Sequence, residues 1–286
     1  MPPVLGALTG LHRAWREALA AAGLPHTWAP GRLPPGAQVQ QLSLGNTSLA
    51  VVSSPGSRPG LCFINLHENE QTAVQAARGV LAERGGTLVE LRARGRRLLA
   101  FRRGWRWCAL DPNRIFSANG LEATLRQHGC TAAAMGATVQ PLRDALLAAL
   151  PTDPETPIVA LHNNQGGSYS VLQYVQGGAH AADAAAVALP NPDTPQDFFV
   201  VTRTAHFDWL VQRGYNTVLQ ASAGAGAAAD DGSLSLWALR QGRAYVNVEA
   251  LNGRLAEQRT MLLAVCDMAD QGARPASTPQ VHHHRD

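Results

Sequence analysis

The sequence predicts an α/β fold, with a mixed, mostly parallel central sheet and helices on both of its faces. Three observations carry this. Short apolar runs alternate with segments of helical period along most of the chain, the pattern of strands and helices stacked in layers. Three of the runs, LCFINLH, PIVALH and RAYVNVE, are almost continuously hydrophobic, as strands buried on both faces must be. Finally, 45% of the 286 residues are hydrophobic, enough to build one substantial core.

Taken in order, residues 9–22 read as an amphipathic helix and residues 24–36 as a Pro/Gly-rich connector. Two short strands are expected at 39–44 and 48–53, joined at Gly45-Asn46, and SSPGSRPG breaks the chain before a strand at 61–66. After HENE, QTAVQAARGVLAERGG has helical periodicity and stops at Gly-Gly, with Asn69 as the expected N-cap. Strands at 87–92 and 97–101 flank Gly95, and WRWCALD leads into DPNRIF. Helices are expected at 121–128 and 139–150, then strands at 157–162 and 168–176. A strand FFVVT, a helix at 205–213, a strand YNTVLQ, the loop ASAGAGAAADDG and a helix SLSLWALRQG follow. A strand at 244–248 delivers Glu249, and a helix at 255–268 closes the fold. The organisation expected is a small N-terminal unit over 1–55 packed on the core, a main domain over 56–270, and a tail over 271–286 read as a frayed end or tag remnant, its three histidines excluded from any site.

Composition narrows the function classes. All 24 basic residues are arginine, which excludes lysine-based chemistry. The formal net charge of +3 is too small to point to nucleic acid. Arg92, Arg94, Arg96, Arg97, Arg102, Arg103 and Arg106 cluster, but they largely alternate with apolar residues and read as the solvated face of a hairpin. No apolar stretch approaches the roughly 20 residues of a membrane span, and MPPVLGALTGLHR lacks the basic start and long apolar run of a signal peptide. The native compartment is therefore left open. Cys62, Cys108, Cys130 and Cys266 form no CxxC pair; buried free thiols are the default reading, and a Cys108–Cys130 disulfide is open to an oxidising compartment.

The chemistry gathers at strand exits. His67, His162 and Glu249 each follow one of the three apolar runs, and Glu70 stands three residues after His67. Ligands bind beyond the carboxyl ends of strands in open α/β sheets. A catalytic zinc takes three protein ligands of imidazole or carboxylate type and leaves a position for water, so a close pair, His67 and Glu70, plus a distant His162 fits that rule. HxxE spacing alone is weak, and a lone histidine is more often a satisfied polar residue at a core edge. It is the shared position at strand ends that favours one site. Glu249, after so apolar a strand, would be desolvated toward a general base's range or else be paired to an arginine. Asn113 and Arg114 in DPNRIF could grip a carboxylate, or simply form a turn with a surface cation.

HENE, DPNRIF, ALHNN and VNVEA, in this order, resemble the motifs of the aspartoacylase and succinylglutamate desuccinylase family within the zinc metallocarboxypeptidase clan. The likeness runs from about residue 61 to 253. It implies that His67, Glu70 and His162 hold one zinc ion, Glu249 activates water, Arg106 polarises the scissile carbonyl, and Asn113 with Arg114 grips a substrate carboxylate. The implied reaction is hydrolysis of an amide or peptide bond beside a free carboxylate. The sequence departs from the family at Glu68, where a small residue is usual, in the arginine-rich hairpin, and at VEALNG. These departures tilt the expected substrate from an N-acyl amino acid toward a small peptide such as a cell-wall peptide. GGSYSVLQY and AGAGAAADDG read on their own as turns; as a rim they would set Tyr169, Tyr174 or Asp231 near a longer substrate. A non-catalytic carboxylate- or peptide-binding module on the same fold is the alternative of a different class.

Overall fold

The computed structural model describes residues 33–165, 169–221 and 230–272. The expected helix at 9–22, most of the 24–36 connector, parts of the two glycine-rich segments and the tail lie outside them. Among the described residues a nine-stranded sheet forms the centre: β1 (Gln38–Leu44), β2 (Thr47–Pro55), β3 (Cys62–Asn65), β4 (Thr87–Arg92), β7 (Ile158–Asn164), β8 (Ala184–Ala188), β9 (Phe198–Val201), β10 (Thr217–Gln220) and β11 (Tyr245–Leu251). Its spatial order is β1-β2-β4-β3-β7-β11-β9-β10-β8. The four middle strands β4, β3, β7 and β11 run parallel, and antiparallel pairs such as β1–β2 and β8–β10 occur toward both edges. The fold is thus α/β with a mixed sheet. Residues 38–55 continue that sheet, because β2 pairs with β4.

Alternation along the buried strands sorts side chains between two cores. Phe63, Val159, Leu161, Val246 and Val248 face one side, where they meet α1 (Gln71–Arg84), α4 (Thr204–Val211) and α6 (Leu255–Gly272). Cys62, Ile64, Ile158, Ala160 and Tyr245 face the other, against α2 (Ala118–Gln127), α3 (Ala132–Ala148) and α5 (Leu234–Arg240). On α1 the buried residues Ala73, Val74, Ala76, Ala77, Val80 and Leu81 recur at helical spacing, so one stripe covers the sheet. Helices therefore cover both faces. A separate two-stranded hairpin, β5 (Leu99–Arg103) with β6 (Arg106–Leu110), carries three of the seven clustered arginines, Arg102, Arg103 and Arg106.

Three local expectations are corrected. Asn69 does not cap α1: Glu70 occupies the N-cap position without a side-chain cap bond, and the N–H of Ala73 instead donates to Asn163 Oδ1 on β7 at 2.8 Å. Glu70 is engaged instead by His67 and His162. The described part of 168–176 is no strand but a 3-10 turn, Val171–Gln173, started by the Ser170 side chain accepting from Leu172 N–H. Helix α3 begins at Ala132 rather than 139; Gly136 and Pro141 read as breakers in sequence yet lie inside it. Cys108 and Cys130 form a disulfide, with Cα atoms 5.8 Å apart, which ties β6 to the link between α2 and α3. Cys62 and Cys266 are buried free thiols.

Candidate metal centre and active site

The middle strands place the site. β3, β7 and β11 are neighbours, and the register pairs Ile64 with Ala160 and His162 with Glu249. His162 and Glu249 thus stand side by side on adjacent strands, on the face that carries Ala160 and Tyr245. His67 lies two residues past the end of β3, and Glu70 follows at the mouth of α1 because Glu70 N–H donates back to the His67 carbonyl at 3.0 Å. All four side chains are buried.

Nδ1 of His67 lies 3.0 Å from Glu70 Oε1, and Nδ1 of His162 lies 3.0 Å from Glu70 Oε2. One ligand atom from each of His67, Glu70 and His162 falls within 4.8 Å of the others, a spacing that a single ion between them can span. The other nitrogen of His67, Nε2, lies 2.8 Å from Asp111 Oδ1. Metal-bound imidazoles commonly give their second N–H to a carboxylate, which fixes ring and tautomer. Asp111 supplies that carboxylate, held in turn by Thr124 Oγ1 on its backbone N–H at 2.9 Å and Arg97 on Oδ2 at 3.2 Å. Two imidazoles and a carboxylate, one ring already oriented, fit a borderline divalent cation such as zinc.

The electrostatics follow the packing. Burial alone would push the Glu70 carboxyl up, but the His162 and His67 imidazoles outweigh it and hold it at about 2. Asp111 is likewise held well below the ordinary carboxylate range, because hydrogen bonding and attraction to His67 overcome its burial. His67 is raised: its partners Glu70 and Asp111 together exceed the desolvation that would lower it. Glu249 moves the other way. Burial raises its carboxyl, and attraction to His162 does not cancel the effect.

A cleft of about 380 Å³ opens beside these groups, within the range of small-molecule sites. Glu70, His162, Glu249, Asn113 and Arg114 all line it. So do Tyr169, Tyr174 and Asp231, the residues named for the rim. Tyr169 and Tyr174 share a hydroxyl contact of 3.0 Å. Arg114 reaches Asp231 at 3.5 Å, and Asn113 Oδ1 accepts the Leu234 N–H at 3.0 Å, so the 231–234 segment is pinned to the DPNR turn. The same seam is closed by glycine: a Cβ on Gly120 would lie 2.3 Å from Gly232 Cα.

Arg106 is not brought to the cleft. It starts β6 at the hairpin's outer end, paired with Arg103 and set over the Trp105 ring, which is 84% exposed. Of the clustered arginines, the one that joins Arg114 in lining the cleft is Arg97, whose Nη1 donates to Glu70 Oε1 at 3.0 Å. Sequence spacing alone could not single it out among seven clustered arginines. Asp111 was legible in principle as the first residue of DPNR, where it also accepts from Asn113 N–H at 2.8 Å. Asn247, two residues before Glu249, lines the cleft as well and gives its amide to Glu249 Oε1 at 3.4 Å.

No protein-family model matches the chain, and no curated protein does. Solved structures give likenesses of layout. The chain is similar to the succinylglutamate desuccinylase from Chromobacterium violaceum, at 14% identity over 91% of this chain and 74% of that one, with a TM-score of 0.42. It is similar to an aspartoacylase family protein from Mesorhizobium loti, at 17% identity, 85% and 71% coverage and a TM-score of 0.37. Thrombin activatable fibrinolysis inhibitor matches at 13% identity, 92% and 76% coverage and a TM-score of 0.42. At such identities the chemistry rests on the residues themselves.

Proposed function

We propose that this protein is a zinc-dependent hydrolase that cleaves an amide or peptide bond next to a free carboxylate, acting on a small peptide. The single observation that supports this reading most is the meeting of His67, Glu70 and His162 within 4.8 Å, with Glu249 beside His162 in strand register. His67, Glu70 and His162 would hold one zinc ion, and such an ion, when bound, acidifies a water and polarises a carbonyl. Glu249, buried and raised, takes the proton from the attacking water and returns it to the departing amine nitrogen. Asn113 and Arg114 meet the substrate carboxylate from the cleft wall. The part expected of Arg106, steadying the carbonyl oxygen as negative charge develops, passes in this reading to Arg97, since a guanidinium must reach the cleft to serve there.

The test is mass-spectrometric screening of zinc-reconstituted protein against small peptides with L- and D-termini and against N-acyl amino acids. Peptide cleavage is expected, and Glu249→Gln should keep its zinc while losing about 10²–10⁴-fold in turnover. Wild-type turnover in that variant removes Glu249 from the reaction. Cleavage of N-acyl amino acids alone moves the substrate class to deacylation, and tight zinc-independent ligand binding without product replaces the enzyme by a binding module.

A further inference from the structure

Glu68 stands between the two close members of the metal group in sequence, and its carboxylate is held by a different stretch of chain. Its Oε2 accepts the N–H of Ala93 at 2.5 Å and that of Gly95 at 2.6 Å. Between those donors Arg94 has a left-handed φ of +65°, and Gly95 follows at +66°. Left-handed backbone of this kind turns nearby N–H groups inward and makes a concavity for an anion. Here the anion is a side chain of the same protein. An L-residue pays for that conformation, so the carboxylate is what the Arg94 turn is built around.

Two residues after this turn, Arg97 leaves the loop. Its guanidinium spans Glu70 Oε1 at 3.0 Å and Asp111 Oδ2 at 3.2 Å while remaining 48% exposed. An arginine this exposed has many rotamers to choose from. The loop between β4 and β5 decides where its Cα sits. Glu68 fixes that loop to the residue next to His67, so the arginine and the metal group are held by one short stretch of chain.

We propose that Glu68 is a positioning residue: by clamping the 93–95 turn it sets Arg97 against Glu70 and Asp111, at the mouth of the cleft. The inference rests on the hydrolase reading above for the use made of Arg97. It also gives a physical reason for an acid at position 68: a glycine there would leave the turn's inward N–H groups to solvent, and Arg97 without a fixed base.

The experiment compares wild type, Glu68→Ala, Glu68→Gln, Arg97→Ala and the Glu68→Ala/Arg97→Ala double variant, all zinc-reconstituted. Zinc content is expected to be unchanged in Glu68→Ala and Glu68→Gln. Amide hydrogen exchange at residues 93 and 95 should be slow in wild type, fast in Glu68→Ala and partly restored in Glu68→Gln, which keeps one acceptor oxygen. With the small peptide that the wild type cleaves, Glu68→Ala should lose about 10²-fold in kcat with little change in KM, the cost of misplacing a catalytic group by about 1 Å. The double variant should be no slower than Arg97→Ala alone. Exchange at 93 and 95 that ignores Glu68, or losses in kcat that multiply in the double variant, overturns the proposal. Exchange is read without substrate, so a failed clamp is distinguishable from a failed hydrolase reading, which would show as no turnover in wild type.

Discussion

At the scale of single residues, Asp111 joins the His67, Glu70 and His162 cluster to the rest of the candidate site. It takes the far nitrogen of His67, accepts from Arg97, and starts the turn that carries Asn113 and Arg114. An amide in its place keeps the shape and loses the charge. Asp111→Asn is therefore expected to weaken zinc retention about 10–100-fold, the usual effect of removing a carboxylate behind a ligating histidine, and chelator competition against wild type reads it directly. Unchanged affinity would mean that His67 needs no orienting partner. Asn163 shows the same economy: facing away from His162, it gives α1 the cap that Glu70, engaged with two histidines, does not provide.

At the scale of elements, the β5–β6 hairpin is the least self-sufficient part. It is a two-stranded sheet outside the main one, and such a ribbon is marginal alone. The Cys108–Cys130 bridge fixes its second strand to the helical layer three residues before Asp111. Replacing both cysteines by serine should cost about 3 kcal/mol for a loop of this size, measured by denaturant unfolding with reductant absent, and should also raise zinc loss through Asp111. An equally stable variant would show that the bridge adds nothing. Elements were legible in sequence where burial imposes a pattern: β3, β7 and β11 are apolar runs because both faces are covered. β8, with the sequence AAAVA, was missed because alanine carries little strand signal, and the start of α3 was hidden by its alanines, Gly136 and Pro141. The His67, Glu70 and His162 cluster was legible because apolar runs lead into His67 and His162, whereas which of the clustered arginines reaches the cleft, Arg97 and not Arg106, depends on how a hairpin folds back, which linear spacing does not encode.

At the scale of the whole molecule, the parallel centre of the sheet brings three strand ends to one place, and two cores hold them rigid from either side. The seam between the DPNR turn and the 231–234 segment then closes one wall of the cleft. Chemistry and scaffold meet in the claim that His67, Glu70 and His162 bind one ion. Metal analysis of the purified protein after zinc reconstitution and dialysis tests that claim most directly, with His67→Ala and His162→Ala alongside. About one zinc per chain in wild type, and loss of it in both variants, is the expected result; no retained transition metal in the wild type, or equal zinc in all three, would contradict it.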